Sequence, residues 1–132
     1  MEYIGFIKEV DKNIRSGKNI LEMMNVSDIA TQEKQEVINY LSNGQVFGGA
    51  MSYTRDVLDG ALIGPMQYYT DGVYVWPVYY FYYIKKYENF YIPDYFLKYL
   101  KNKNFEFERL TEVELDRIDL DFTNEWSGKY KK

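Results

Sequence analysis

Between Val46 and Pro77 the chain is cut into short pieces by Gly48-Gly49, Asp59-Gly60, Gly64-Pro65 and Asp71-Gly72. The runs between these pairs are rich in Tyr, Val and Met, and read as strands near 46–54, 61–69 and 73–76. Asp71-Gly72 suits a tight turn because both residue types tolerate positive φ. The three runs therefore predict an antiparallel meander. Pro65 has no backbone donor, so its strand is expected to lie at an edge or carry a bulge there.

Helical signals flank this meander. Tyr3, Ile7, Val10 and Ile14 share the spacing of one helical face, with Lys8, Glu9, Asp11 and Lys12 outward. This predicts a helix over 2–15, closed by Ser16-Gly17. Residues 19–29 read as a short helix or strand on the core. Thr31 is the expected N-cap of a helix burying Val37, Ile38 and Leu41, with Glu33 in its first turn and Asn43-Gly44 at its end.

Pro77 opens a helix over 77–88 with Tyr80, Tyr83, Ile84 and Tyr87 on one face. Pro93 opens another, to about Lys101, burying Phe96, Leu97 and Leu100. Thr111 and Glu114 form a capping-box pattern ahead of Leu115 and Ile118, and residues 127–132 are expected to fray. Together these predict an α+β fold, a small meander of about three strands packed against several helices. With 132 residues and no linker, one domain over 1–132 is expected.

Function is constrained mainly by two residues the chain lacks, Cys and His. Their absence removes disulfides, thiolate and Ser-His nucleophiles, and zinc sites built on either residue. Carboxylate chemistry would remain. Asp56, Asp59 and Asp71 all sit at predicted turns, without metal-ligand or EF-hand spacing around them. Neither glycine cluster has the form of a phosphate loop. No catalytic residue, cofactor or metal is therefore expected, and the chain reads as a binder rather than an enzyme.

The net charge of −4 and the pI of about 4.9 argue against direct nucleic-acid binding and favour a basic protein partner. The N-terminal sequence does not read as a signal peptide, and no apolar run reaches spanning length. The expectation is a cytoplasmic protein with no membrane partner.

Two surface features stand out. Of 15 tyrosines, 11 lie between Tyr68 and Tyr99. A helix with tyrosines at 79, 80, 82, 83 and 87 has aromatic side chains on nearly all sides, so some should meet solvent, with Tyr79 and Tyr82 the expected members. The competing reading is a core that uses Tyr where Phe or Leu would serve. The second feature is the acid-rich segment 106–125, whose eight carboxylates and two arginines give a net charge of −6. It reads either as a solvated helix face or as a docking patch for a basic partner. Expected contact residues from these features are Tyr79, Tyr82, Asp56, Asp59, Glu112 and Asp116.

The segments Ile63-Gly64-Pro65, Tyr69-Thr70-Asp71-Gly72-Val73-Tyr74-Val75-Trp76-Pro77, Tyr82-Tyr83 and Ile92-Pro93-x-x-Phe96 carry a family likeness. Over about residues 46–100 the chain resembles small bacterial immunity proteins encoded beside polymorphic or contact-dependent toxins. The resemblance implies a cytoplasmic protein that neutralises a cognate toxin by binding it, a basic nuclease being one candidate. The alternative is a small-ligand or carbohydrate-binding module that stacks its ligand on tyrosines.

Overall fold

A computed structural model describes residues 1–128. In chain order the elements are β1 (Glu2–Tyr3), α1 (Ile20–Met23), α2 (Thr31–Ser42), β2 (Gln45–Arg55), β3 (Leu62–Thr70), β4 (Tyr74–Pro77), α3 (Val78–Lys86), α4 (Asp94–Asn102) and α5 (Glu112–Trp126). The fold is α+β, with one mixed four-stranded sheet among the described residues, in the order β1-β4-β3-β2. No helix among them is long and apolar enough to cross a membrane.

The meander forms where the turn pairs place it. β2 and β3 are antiparallel, as are β3 and β4, with Tyr69 opposite Trp76. At the β3–β4 turn the Asp71 carboxylate accepts from the Val73 and Tyr74 amides, and Gly72 takes φ +99°. Pro65 pairs with β2 alone, beyond the reach of β4, so its missing N–H leaves no β4 carbonyl without a donor. Across from it β2 bulges: between Gly49 and Tyr53 three residues face Met66.

The N-terminal segment corrects the sequence reading. Residues 2–15 form no helix; Glu2–Tyr3 add a parallel strand against β4, and the following residues run through turns. Ile4, Phe6 and Ile7 are all buried, which no single helical face allows. Gly5 also takes φ +76° under the ring of Tyr80, a conformation that ends any helix there. Asp11, expected to point outward, is buried.

The remaining helices match their signals, with small shifts. Residues 19–29 yield only the one-turn helix α1. Ala30 occupies the N-cap of α2 and Thr31 its first helical position, one residue from expectation. Thr111 caps α5 with the reciprocal capping box intact. The expectation of fraying covers Ser127 and Gly128, which follow α5 as a turn, and 129–132, which lie outside the described residues.

Trp76, at the end of the sheet, is fully buried, and its indole N–H donates to the Leu41 carbonyl at 3.0 Å. The same carbonyl, in the last turn of α2, also accepts from the Gly44 amide at 3.3 Å, so the indole adds a second bond that ties helix to sheet. A second cluster joins Phe6, Tyr68 and Phe122, with 4.4 Å between the Tyr68 and Phe122 ring centroids.

Two glycines test this packing. Both Gly5 and Gly60 have positive φ, but a Cβ at Gly5 would lie 2.1 Å from Tyr80 whereas nothing lies within 4 Å at Gly60. Gly60→Ala is expected to cost roughly 1–2 kcal/mol, from backbone strain alone. Gly5→Ala adds overpacking and should cost roughly 3 kcal/mol or more. Urea midpoints measure both, and equal losses would contradict this account of the N-terminal segment.

Candidate binding surface

Six of the tyrosine hydroxyls converge on three aspartates. Asp11 accepts from Tyr79 at 2.7 Å, Tyr68 at 2.8 Å and the Trp126 indole at 3.1 Å. Tyr79 in turn accepts from the Ile7 amide at 3.0 Å. Burial holds the Asp11 carboxyl above the ordinary carboxylate range, and its three donors offset only part of that.

Asp71 accepts from Tyr40 at 2.6 Å and Tyr99 at 2.8 Å, besides the turn amides. Lys103 lies over both rings and donates to the Tyr40 hydroxyl at 3.1 Å. Burial, then the neighbouring Asp71, push both phenols up.

Asp56 sits at the tip of the β2–β3 hairpin. It accepts from Tyr87 at 2.7 Å, Tyr82 and Lys86 each at 3.0 Å, and the Leu58 amide at 2.8 Å. Burial alone would raise its carboxyl. The donors from Tyr87, Leu58, Lys86 and Tyr82 outweigh burial and hold it at about 2. Lys86 also pairs with Asp59, and these contacts raise its ammonium pKa. The Val57 amide donates to Tyr83, so the loop is tied to α3 at a fifth point.

This arrangement redistributes the expected contact residues. Tyr79 is fully buried against Asp11 and is not the exposed residue the helical pattern implied; Tyr82 is half-buried over Asp56. Asp56 is buried as well, so neither it nor Tyr79 is available at the free surface. Asp59 is exposed but ion-paired. Glu112 and Asp116 are exposed on α5. The six residues thus fall into three places: Tyr79 in the core, Tyr82, Asp56 and Asp59 around Lys86, and Glu112 with Asp116 on α5. Among the described residues the exposed tyrosines are Tyr53 and Tyr95. No cluster of three acids able to hold a metal occurs among them.

The open surface with the most distinctive chemistry is the outer side of α5. Its inner side buries Ile118, Phe122 and Glu125, the last gripped by Arg15 through three contacts of 3.0–3.3 Å. On the outer side Val113 and Leu120, 69% and 66% exposed, stand two turns apart with Asp116 and Arg117 between them. Glu114 is used in the cap and Asp121 bonds the Tyr3 hydroxyl and the N-terminal amine. Glu106, Glu108, Glu112, Asp116 and Asp119 form no ion pair with a described residue. This stripe was half visible in the sequence: the acids stood out, while the apolar pair needed the helix's inner face to be known.

No protein-family model matches the chain, and no curated protein or solved structure does.

The low Asp56 value has a defined pH signature. A carboxyl held near 2 in the fold, against an ordinary 3.8, stabilises the protein fully above about pH 4 and loses that contribution as pH falls through 2. The shift corresponds to about 2 kcal/mol. Asp11 has the opposite sign: its raised value makes the ionised form costly, a cost relieved as pH falls. Asp56→Asn should therefore be less stable by about 2 kcal/mol at neutral pH, with the gap closing between pH 4 and 2. Urea denaturation at pH 7, 4 and 2 measures this, and a constant gap would refute the assignment.

Proposed function

We propose that this protein is a cytoplasmic immunity-type inhibitor that neutralises a protein toxin by binding it through the outer face of α5, without catalysis. The observation that carries this reading is the pairing of two large exposed side chains, Val113 and Leu120, with acids that have no ion-pair partner among the described residues. Apolar residues beside unpaired acids make a surface for a partner: the apolar pair offers contact area, and the acids, which outnumber Arg117 on this face, favour a basic complement. A toxin that grips nucleic-acid phosphates, such as a nuclease, would present that complement. The likeness of residues 46–100 to immunity proteins supports the same reading.

The inner tyrosine networks leave this face rigid. Glu112 and Asp116 remain its expected polar contacts. Tyr79 and Asp56 serve by holding the fold, and Asp59 and Tyr82 by holding the hairpin tip.

The test is titration against a cognate toxin domain, sought in the neighbouring reading frames, with growth rescue in cells producing that domain. The double variant Glu112→Lys/Asp116→Lys should bind roughly tenfold more weakly or worse at low salt, mainly through a slower association rate. Its melting temperature should fall by no more than a few degrees, since both side chains are exposed and outside the ion pairs described, and only Glu112, in the first turn of α5, favours the helix dipole. Unchanged affinity, or absence of rescue by the wild type, would overturn the proposal.

A further inference from the structure

β2 is an end strand of the sheet, with β3 as its one strand neighbour among the described residues. The opposite edge is β1, only 2 residues long, whereas β2 runs for 11. An edge of that length presents backbone donors and acceptors, and proteins usually blunt it with charge, proline, bulges or a covering element. From Gln45 to Thr54 β2 carries no charge and no proline. Its bulge lies between Gly49 and Tyr53, and the extra residue of the next irregularity, Ile63, belongs to β3. The end of β2, up to Arg55, is therefore an unblunted edge.

Two observations fix where its peptide groups point. Tyr53 lies opposite Pro65, which has no N–H, so that pair is of the kind that exchanges no hydrogen bonds. The Asp56 amide donates to the Ala61 carbonyl at 2.8 Å, which makes the Arg55–Leu62 pair of the same kind. The peptide groups of Tyr53 and Arg55 thus face away from β3, on the side where no strand follows. Beside them Met51 is fully exposed and Tyr53 is 68% exposed.

We infer that this edge pairs with the same edge of a second copy of the chain, antiparallel about a two-fold axis at Tyr53. The two Tyr53 residues exchange N–H to carbonyl bonds, and Arg55 of each copy lies opposite Met51 of the other. One sheet then continues through both copies.

The pairing is self-complementary. Arg55 is the one charged residue of β2, and the two-fold sets it against a methionine instead of a second arginine. Diagonally it reaches the ring of the second copy's Tyr53, where a guanidinium is attracted to the aromatic face. Its bond to the Gly60 carbonyl uses only one of its donors. A basic toxin strand fits this edge less well, because it would meet Arg55 and no acid within β2. The inference is independent of the role proposed for α5, since Glu112, Val113, Asp116 and Leu120 take no part in the pairing.

Sedimentation equilibrium from about 10 µM to about 1 mM spans the affinities of a small edge-to-edge interface. The wild type is expected to show a reversible monomer–dimer equilibrium within that range. Tyr53→Pro removes a donor that the β2–β3 ladder does not use, so it should abolish the dimer, with folding checked by thermal melts. Met51 is fully exposed, so its substitutions spare the fold and read the register. Met51→Glu, facing Arg55 of the second copy, should tighten the dimer roughly fivefold, and Met51→Lys should weaken it roughly fivefold. If Tyr53→Pro does not fold, the two Met51 variants decide alone. A wild type that stays monomeric to about 1 mM would overturn the inference. So would a dimer that folded Tyr53→Pro leaves intact, or one that the two Met51 variants do not shift in opposite directions.

Discussion

The interior is organised by buried aspartates that accept hydrogen bonds from tyrosines. A carboxylate without donors is expensive to bury, whereas one surrounded by hydroxyl and indole donors can be retained. Asp11 shows what this achieves. Its three donors come from β3, α3 and α5, and it lies in the N-terminal segment, so one side chain joins four parts of the chain. Asp71 likewise joins α2, the β3–β4 turn and α4, and Asp56 joins the hairpin tip to α3. The tyrosine enrichment therefore has a structural cause: a hydroxyl on a large ring can fill the core and reach a carboxylate with the same side chain. Phe would fill the space and leave the acid without a donor.

That cause explains what the sequence made legible and what it hid. The strands, the turn at Asp71-Gly72, the helix after Pro77 and the cap at Thr111 rest on local chemistry, and local chemistry is written in adjacent residues. The N-terminal segment departs from its pattern because Tyr3, Ile7, Val10 and Ile14 satisfy a helical period that Gly5 and Phe6 contradict. Gly5, with its positive φ between two buried neighbours, marks the break.

The site was harder to read, for a reason of distance along the chain. Asp11 lies 57, 68 and 115 positions from Tyr68, Tyr79 and Trp126. Nothing near Asp11 announces such partners, so a lone aspartate among lysines looked outward-facing. Tyr79 looks exposed for the same reason: nothing local to α3 shows that the sheet, the hairpin tip and the N-terminal segment cover it together. Glu112 and Asp116 could be placed correctly because α5 has acids throughout and only its inner stripe is packed.

The interior networks and the exterior surfaces are linked through α5. Phe122 packs against Phe6, Phe47 and Tyr68, Glu125 is gripped by Arg15, and Trp126 by Asp11. Each of these contacts lies in the second half of the helix, and the first half is fixed by its capping box and by the bond from the Leu110 amide to Gln45. A helix held at both ends presents Val113, Asp116 and Leu120 from one backbone geometry, so a partner docking there has little backbone freedom left to remove. Loosening Asp11 would therefore disturb the end of α5 and, through it, the outer helix face, although Asp11 itself is buried away from that face.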